Sequence, residues 1–216
     1  ANAIQPFLES AAALLSRSGI ATQHALFNYV VGCRLVAENN SLQAKEHLEK
    51  ARELFATAKD FRSYSLASLK LAETELALSN HQSSYKILDE ILKLSTEKNY
   101  AFIKSETLLL LGSVSSHGII FRLQPPILYY IDAFEIIETQ IVTETTWRVC
   151  YHLGNEFFNR GLFEKGLLHF QYAKQSLEYI ASKIKNDALR VKFFNSYQRG
   201  EILKEIHSII EKIETP

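Results

Sequence analysis

Histidines, cysteines and paired carboxylates are the residues through which this chain could do chemistry, and their spacing argues against catalysis. The seven histidines, His24, His47, His81, His117, His152, His169 and His207, are scattered. No two lie three or four residues apart, so no single helix offers the side-by-side pair from which helical metal sites are built. They read as surface or groove histidines. The two cysteines, Cys33 and Cys150, form no Cys-x-x-Cys pair, so a disulfide framework is not expected and a reducing, cytoplasmic compartment fits best. Cys150 lies one turn before Gly154 on an apolar stripe and reads as a buried structural thiol. Cys33 is expected to face open space, with nothing beside it in sequence to lower its pKa. Glu135 with Glu138, and Glu73 with Glu75, are the carboxylate pairs nearest to what acid–base catalysis needs. Charged residues on helices usually form solvated faces. No phosphate-binding glycine loop, no His-Glu-x-x-His and no Gly-x-Ser-x-Gly elbow occurs. The expectation is no enzyme, no cofactor and no metal.

Charge removes another class of function. Lys plus Arg and Asp plus Glu number 24 each, for a formal net charge of zero. A nucleic-acid binder needs a basic excess to neutralise phosphates. None exists here, so no nucleic acid is expected to bind directly. No apolar run approaches the ~20 residues that cross a bilayer, and the short apolar stretch at 11–15 has no basic residue before it and follows Pro6, unlike a signal peptide. The chain has no methionine, not even at its start. Either it is a piece of a longer protein, or modified methionines are missing from the written sequence.

The elements that must position any functional residue are helices. Only four Pro and eight Gly interrupt the 216 residues, and apolar residues recur at helical spacing through long segments. Three glycines, Gly32, Gly112 and Gly154, sit inside strongly helical stretches, where glycine costs about 1 kcal/mol relative to alanine. A close helix–helix approach that tolerates no side chain is one common reason for all three. Ala72 lies midway between Gly32 and Gly112, so the chain repeats at about 40 residues, in the range of helical solenoids. A second helix in each unit repeats a small–large–small stripe: Ala44, Leu48, Ala51; Ser84, Leu88, Ile91; Pro126, Tyr130, Ala133; Gly166, Phe170, Ala173.

With these residues the chain resembles the tetratricopeptide (TPR) repeat family in a long-helix variant. The fourth unit carries the pattern most fully, in Leu153-Gly154, Phe157, Gly161, Gly166, Phe170 and Ala173. The first has Val31-Gly32, Leu35, Asn39, Ala44, Leu48 and Ala51. The second has Leu71-Ala72, Ser79, Ser84, Leu88 and Ile91, and departs from the pattern at Glu75, where the family has a bulky apolar residue. In the third unit the segment between helices, 115–124, carries about two extra residues. The resemblance implies an all-α, right-handed α-solenoid of about four antiparallel helix pairs in one domain: 1–24 a truncated or capping helix, 25–180 four repeats, 181–216 C-terminal capping helices. Residues 4–18 read as one helix, and 187–213 as a polar-faced helix or helix pair covering the last apolar face. The terminal Arg190-x-x-Phe193-Phe194 and Arg199-x-x-Ile202-Leu203 loosely resemble the tails that follow such arrays in bacterial multidomain signalling and transcription regulators.

The resemblance also implies where a partner would bind. The first helix of each pair lines the concave wall, and the residues flanking the Leu-Gly position are exposed there. In the fourth unit these are Arg148, Tyr151, His152, Asn155, Phe158 and Asn159. The third offers Glu106, Leu109, Ser113, Ser116 and His117, and the second Leu66, Leu69, Lys70, Glu73 and Leu76. The first offers Leu26, Tyr29, Val30, Cys33 and Val36. Tyr and Arg are favoured anchors at interfaces, and Asn can bond a peptide backbone as donor and acceptor. The wall lacks the Lys- and Asn-rich clamp that some family members use for a C-terminal carboxylate. The expected guest is an amphipathic helix or an extended apolar segment of another protein. Two further readings stay open: a domain that senses a small ligand or signal peptide, and a homo-oligomerisation scaffold.

Overall fold

The computed structural model describes residues 5–15, 20–121, 123–196 and 198–214. Among them the regular structure is helical throughout, with no strand. Eleven helices follow one another among the described residues: α1 (Gln5–Leu15), α2 (Ala21–Ala37), α3 (Ser41–Thr57), α4 (Phe61–Ala77), α5 (His81–Glu97), α6 (Ala101–Ser116), α7 (Pro126–Ile137), α8 (Glu144–Asn159), α9 (Phe163–Ser182), α10 (Asp187–Asn195) and α11 (Arg199–Glu214). The all-α expectation holds. The expected N-terminal helix is α1 over the residues described, with Ile4 and 16–18 lying outside them. The C-terminal segment is a helix pair, α10 and α11.

A repeated turn sets the rhythm from α2 to α6. Helices α2 to α5 are each 17 residues long, and each ends on a residue in the left-handed region: Asn39, Lys59, Ser79 and Asn99, with φ of 58°, 57°, 60° and 54°. The next amide reaches back to a carbonyl in the last helical turn. Asn40 N donates to Leu35 O, Asp60 N to Phe55 O, Asn80 N to Glu75 O and Tyr100 N to Ser95 O, at 2.8–3.0 Å. This closing bond satisfies carbonyls that a helix end would otherwise orphan. The Asn40 and Asp60 side chains then accept from Gln43 N and Ser63 N and start the next helix. Gly161, φ 72°, occupies the same place between α8 and α9, where Leu162 N donates to Phe157 O.

The chain falls into two compact units, Ala1–Phe121 and Arg122–Pro216. In the first, each helix packs on its neighbours in sequence, and α4 also touches α2 and α6 directly. In the second, α8 packs between α7 and α9, and α11 packs on α9 and α10. The third of the four expected helix pairs is thus divided, with α6 closing the first unit and α7 opening the second.

The small–large–small stripes are core. Ala44, Leu48, Ala51, Leu88, Ile91, Ala133, Phe170 and Ala173 are fully buried, as is Ser84. Gly32 and Gly154 mark the close approaches expected of them. A Cβ on Gly32 would lie 2.6 Å from Leu48 Cγ, and one on Gly154 would lie 2.6 Å from the Phe170 ring. At the equivalent place in α4, Ala72 is fully buried and its carbonyl accepts from Ser84 Oγ at 2.9 Å.

Glu75, the departure from the repeat pattern, is 2% exposed. Its carboxylate accepts from Lys45 Nζ at 2.9 Å, Asn80 Nδ2 at 2.7 Å and Ser83 Oγ at 3.0 Å. Burial alone would raise its pKa, but these three hydrogen bonds outweigh it and hold the carboxyl below its ordinary value. One ionised side chain thereby ties α3, α4 and the start of α5 together where the repeat family uses apolar packing.

Candidate functional site

Four residues expected on the wall of the first unit meet in space. Tyr29 and Cys33, one turn apart on α2, interact with each other, and both feel the charge of Glu73 on α4. Lys70, one turn before Glu73, donates to its carboxylate and acts electrostatically on Cys33. The 40-residue phase explains the meeting, because Cys33 and Glu73 occupy one repeat position and Val30 and Lys70 another. Burial, reinforced by Cys33 and Glu73, pushes the Tyr29 hydroxyl far above its ordinary pKa. Burial also raises the Cys33 thiol, only partly countered by Lys70 and Tyr29. Both groups are therefore neutral hydrogen-bonding groups at pH 7 rather than nucleophiles.

Beside this polar strip α2 presents apolar residues to solvent. Leu26 is 56% exposed and Val30, one turn on, 46%. Helix α1 leaves them open, since the space between α1 and α2 is bordered by Phe27, Val31, Arg34 and Leu35. Val36, Leu66 and Leu76 are half-buried.

The α6 residues divide. Glu106 and Ser113 are half-buried, and Ser116 and His117 exposed. Ser113 Oγ donates to Leu109 O, while Ser113 O accepts from Ser116 Oγ. Leu109, expected on the open wall, is fully buried, and Leu69 is 7% exposed. The reason is position: α4 and α6 each have helices packed on more than one side, so residues that would be open on a lone pair are covered.

On α8 the expected face carries a different arrangement. Tyr151 Oη donates to Glu205 Oε2 of α11 at 2.9 Å, with Asn155 nearby on α8. Burial, then Glu205, raises the Tyr151 pKa. His152 stacks on Tyr130 of α7, ring centroids 4.9 Å apart and planes 14° from parallel. Burial, aided by the charge of Arg148, lowers its pKa to about 4, so it is neutral at pH 7. Arg148 and Asn155 are half-buried and Asn159 is exposed. Phe158 is half-buried: its ring packs against Phe163 and Phe170 and fills the space a side chain on Gly166 would need. Gly166 has no side chain, so the ring turns inward. Between α8 and α11 lies a cleft of about 390 Å³ bordered by Trp147, Arg148, Tyr151, Gln198, Glu201 and Glu205. The chain's own last helix thus stands beside the α8 face, a pairing that nothing in the local sequence signals.

Two outer clefts also lack a local sequence signal. In the first unit, Arg52 of α3 donates to Tyr64 Oη and Glu90 Oε2, each at 2.6 Å, and to Ser68 Oγ at 2.9 Å, closing the gap between α3 and α5 over α4. In the second unit a cleft of about 540 Å³ lies among α7, α8 and α9. Tyr172 and Tyr179, two helical turns apart on α9, line it. Cys150 on its floor is fully buried, and burial pushes its thiol pKa up to about 12, as befits the structural thiol expected.

Among the described residues no group of three or more His, Cys, Asp or Glu is placed to hold a metal ion. No described helix is long and apolar enough to cross a membrane. No protein-family model matches the chain, and no curated protein matches its sequence.

Proposed function

We propose that the chain is a protein-interaction module, a right-handed TPR-like solenoid of helix pairs that acts in the cytoplasm as the regulatory part of a larger protein. The α2–α4–α6 face of the first unit takes a segment of the partner. The observation that carries this reading is the exposed apolar pair Leu26 and Val30 beside the Tyr29–Cys33–Lys70–Glu73 cluster. Single exposed leucines are ordinary on soluble proteins. Two apolar side chains one turn apart, flanked by half-buried hydrogen-bonding groups, have the make-up of an interface with an apolar centre and polar rim. An amphipathic helix or an extended apolar segment has the matching surface.

The test is affinity capture from the source cell with the wild-type chain and with Leu26→Ser/Val30→Ser. Both positions are exposed, so helicity should persist by circular dichroism. A partner retained by the wild type and lost by the double variant supports the reading. Equal capture by both removes the face. Light scattering over a dilution series separates self-association through the same residues, the alternative use of an exposed apolar strip, from binding of another protein.

A further inference from the structure

We infer that the cleft among α7, α8 and α9 is a binding site for an organic cation of the alkylammonium class. The cleft holds about 540 Å³ and is lined by the rings of Phe134, Tyr172 and Tyr179, with Ile137 and Val142 and a few uncharged polar groups. That size and make-up are those of a small-ligand site. Its electrostatics select the sign of the guest. Glu138 is the one charged residue lining it, and no lysine or arginine does so. Among the described residues no ion pair engages the Glu138 carboxylate. Glu138 is also the C-cap of the 12-residue α7, so the carboxylate and the negative end of a helix dipole act at the same place. The Cys150 thiol of the floor stays neutral.

The rings supply the rest. Tyr172 and Tyr179 are each 45% exposed, and a cation is drawn to the face of such a ring. The chain already uses one of them in this way: the Lys183 ammonium lies 4.5 Å from the centroid of Tyr179. Lys183 therefore shares Tyr179, and the exposed ring of Tyr172, with Glu138 and beside the half-buried Phe134 that packs edge-on with His169, is left to the guest. A free alkylammonium compound and the N-methylated lysine of a protein present the same chemistry. This site is independent of the α2–α4–α6 face.

The experiment is isothermal titration calorimetry of the full chain with choline chloride and, separately, with 3,3-dimethyl-1-butanol, its uncharged isostere. Saturable choline binding at least about tenfold tighter than the alcohol is expected. Tyr172→Leu and Glu138→Gln should each weaken choline about tenfold, while Tyr172→Phe, which keeps the ring face, binds as the wild type does. Both positions are exposed, and unchanged circular dichroism would show the fold intact. A third titration, with a short peptide bearing trimethyllysine against the same peptide unmethylated, identifies the source: tighter binding than choline marks a protein ligand, equal or weaker binding a free one. Absence of saturable choline binding, equal binding of the alcohol, or choline binding unaltered in both Tyr172→Leu and Glu138→Gln would overturn the assignment.

Discussion

The ring of Phe170 occupies the space that a side chain at Gly154 would require, with Cδ1 and Cε1 both 2.6 Å from an ideal Cβ there. Alanine at 154 would gain about 1 kcal/mol of helix propensity and force apart two helices whose contact is otherwise complete, at about 1–3 kcal/mol. Gly154→Ala should therefore lower stability by about 1 kcal/mol, and Gly154→Leu should loosen the second unit altogether. Urea unfolding followed by circular dichroism measures both. An increased midpoint for Gly154→Ala would mean that the glycine is there for some other reason.

Glu75 should behave as a buried, fully bonded anion. Glu75→Ala strands Lys45, Asn80 and Ser83 and should cost about 2–3 kcal/mol. Glu75→Leu restores the residue type of the repeat pattern and should recover part of that loss. Because its folded pKa is depressed, the stabilisation is present above the unfolded carboxyl value of ~4.3 and disappears as pH falls through the lower folded value. Urea midpoints across pH 2–6 for the wild type and Glu75→Gln give the comparison; parallel curves would contradict the assignment.

His152 makes the second unit acid-sensitive over a higher range. Its pKa is about 4 in the fold against ~6.5 unfolded. Between these values the unfolded chain binds the extra proton, so stability is complete above the higher value and declines as pH drops toward the lower. The loss at pH 4 should approach about 3 kcal/mol. His152→Gln should flatten most of that slope, with a residue left by His169, whose pKa burial also lowers. A wild-type stability that does not change between pH 7 and 4.5 would exclude this account.

Lys59 pays a backbone penalty at φ 57° that glycine would avoid. Left-handed geometry costs a non-glycine residue about 1–2 kcal/mol, partly offset by the greater entropy glycine loses on folding. Lys59→Gly should therefore stabilise the first unit by about 0.5–1 kcal/mol. Thermal unfolding reads this directly, and a lower midpoint would show that the Lys59 side chain contributes more than its backbone strain removes.

The parts of this fold that were legible in sequence are those where a missing side chain leaves a trace. Gly32 and Gly154 mark close approaches because a side chain there would collide with Leu48 and Phe170, and the small Ala72 keeps their phase in α4. Their common phase also brought Tyr29, Cys33, Lys70 and Glu73 onto one wall before any coordinates. Glu75 was visible only as an irregularity, because its partner Lys45 lies on another helix. Leu109 was misplaced because helical phase gives a direction around one helix and says nothing about neighbours on its other sides. The left-handed turns fall at Asn39, Ser79 and Gly161, which stood at the turn place of the repeat pattern, and also at Lys59 and Asn99, which went unread because they lie between one unit and the next. The docking of α11 beside α8 depends on Tyr151 and Glu205, too distant in sequence for any local pattern to join them.

The twenty-residue spacing of Asn39, Lys59, Ser79 and Asn99 sets a parity rule for changes in chain length. Each such step reverses the direction of travel. Within the first unit, excising twenty residues would turn the helices that follow the wrong way, whereas excising or duplicating forty would preserve their sense.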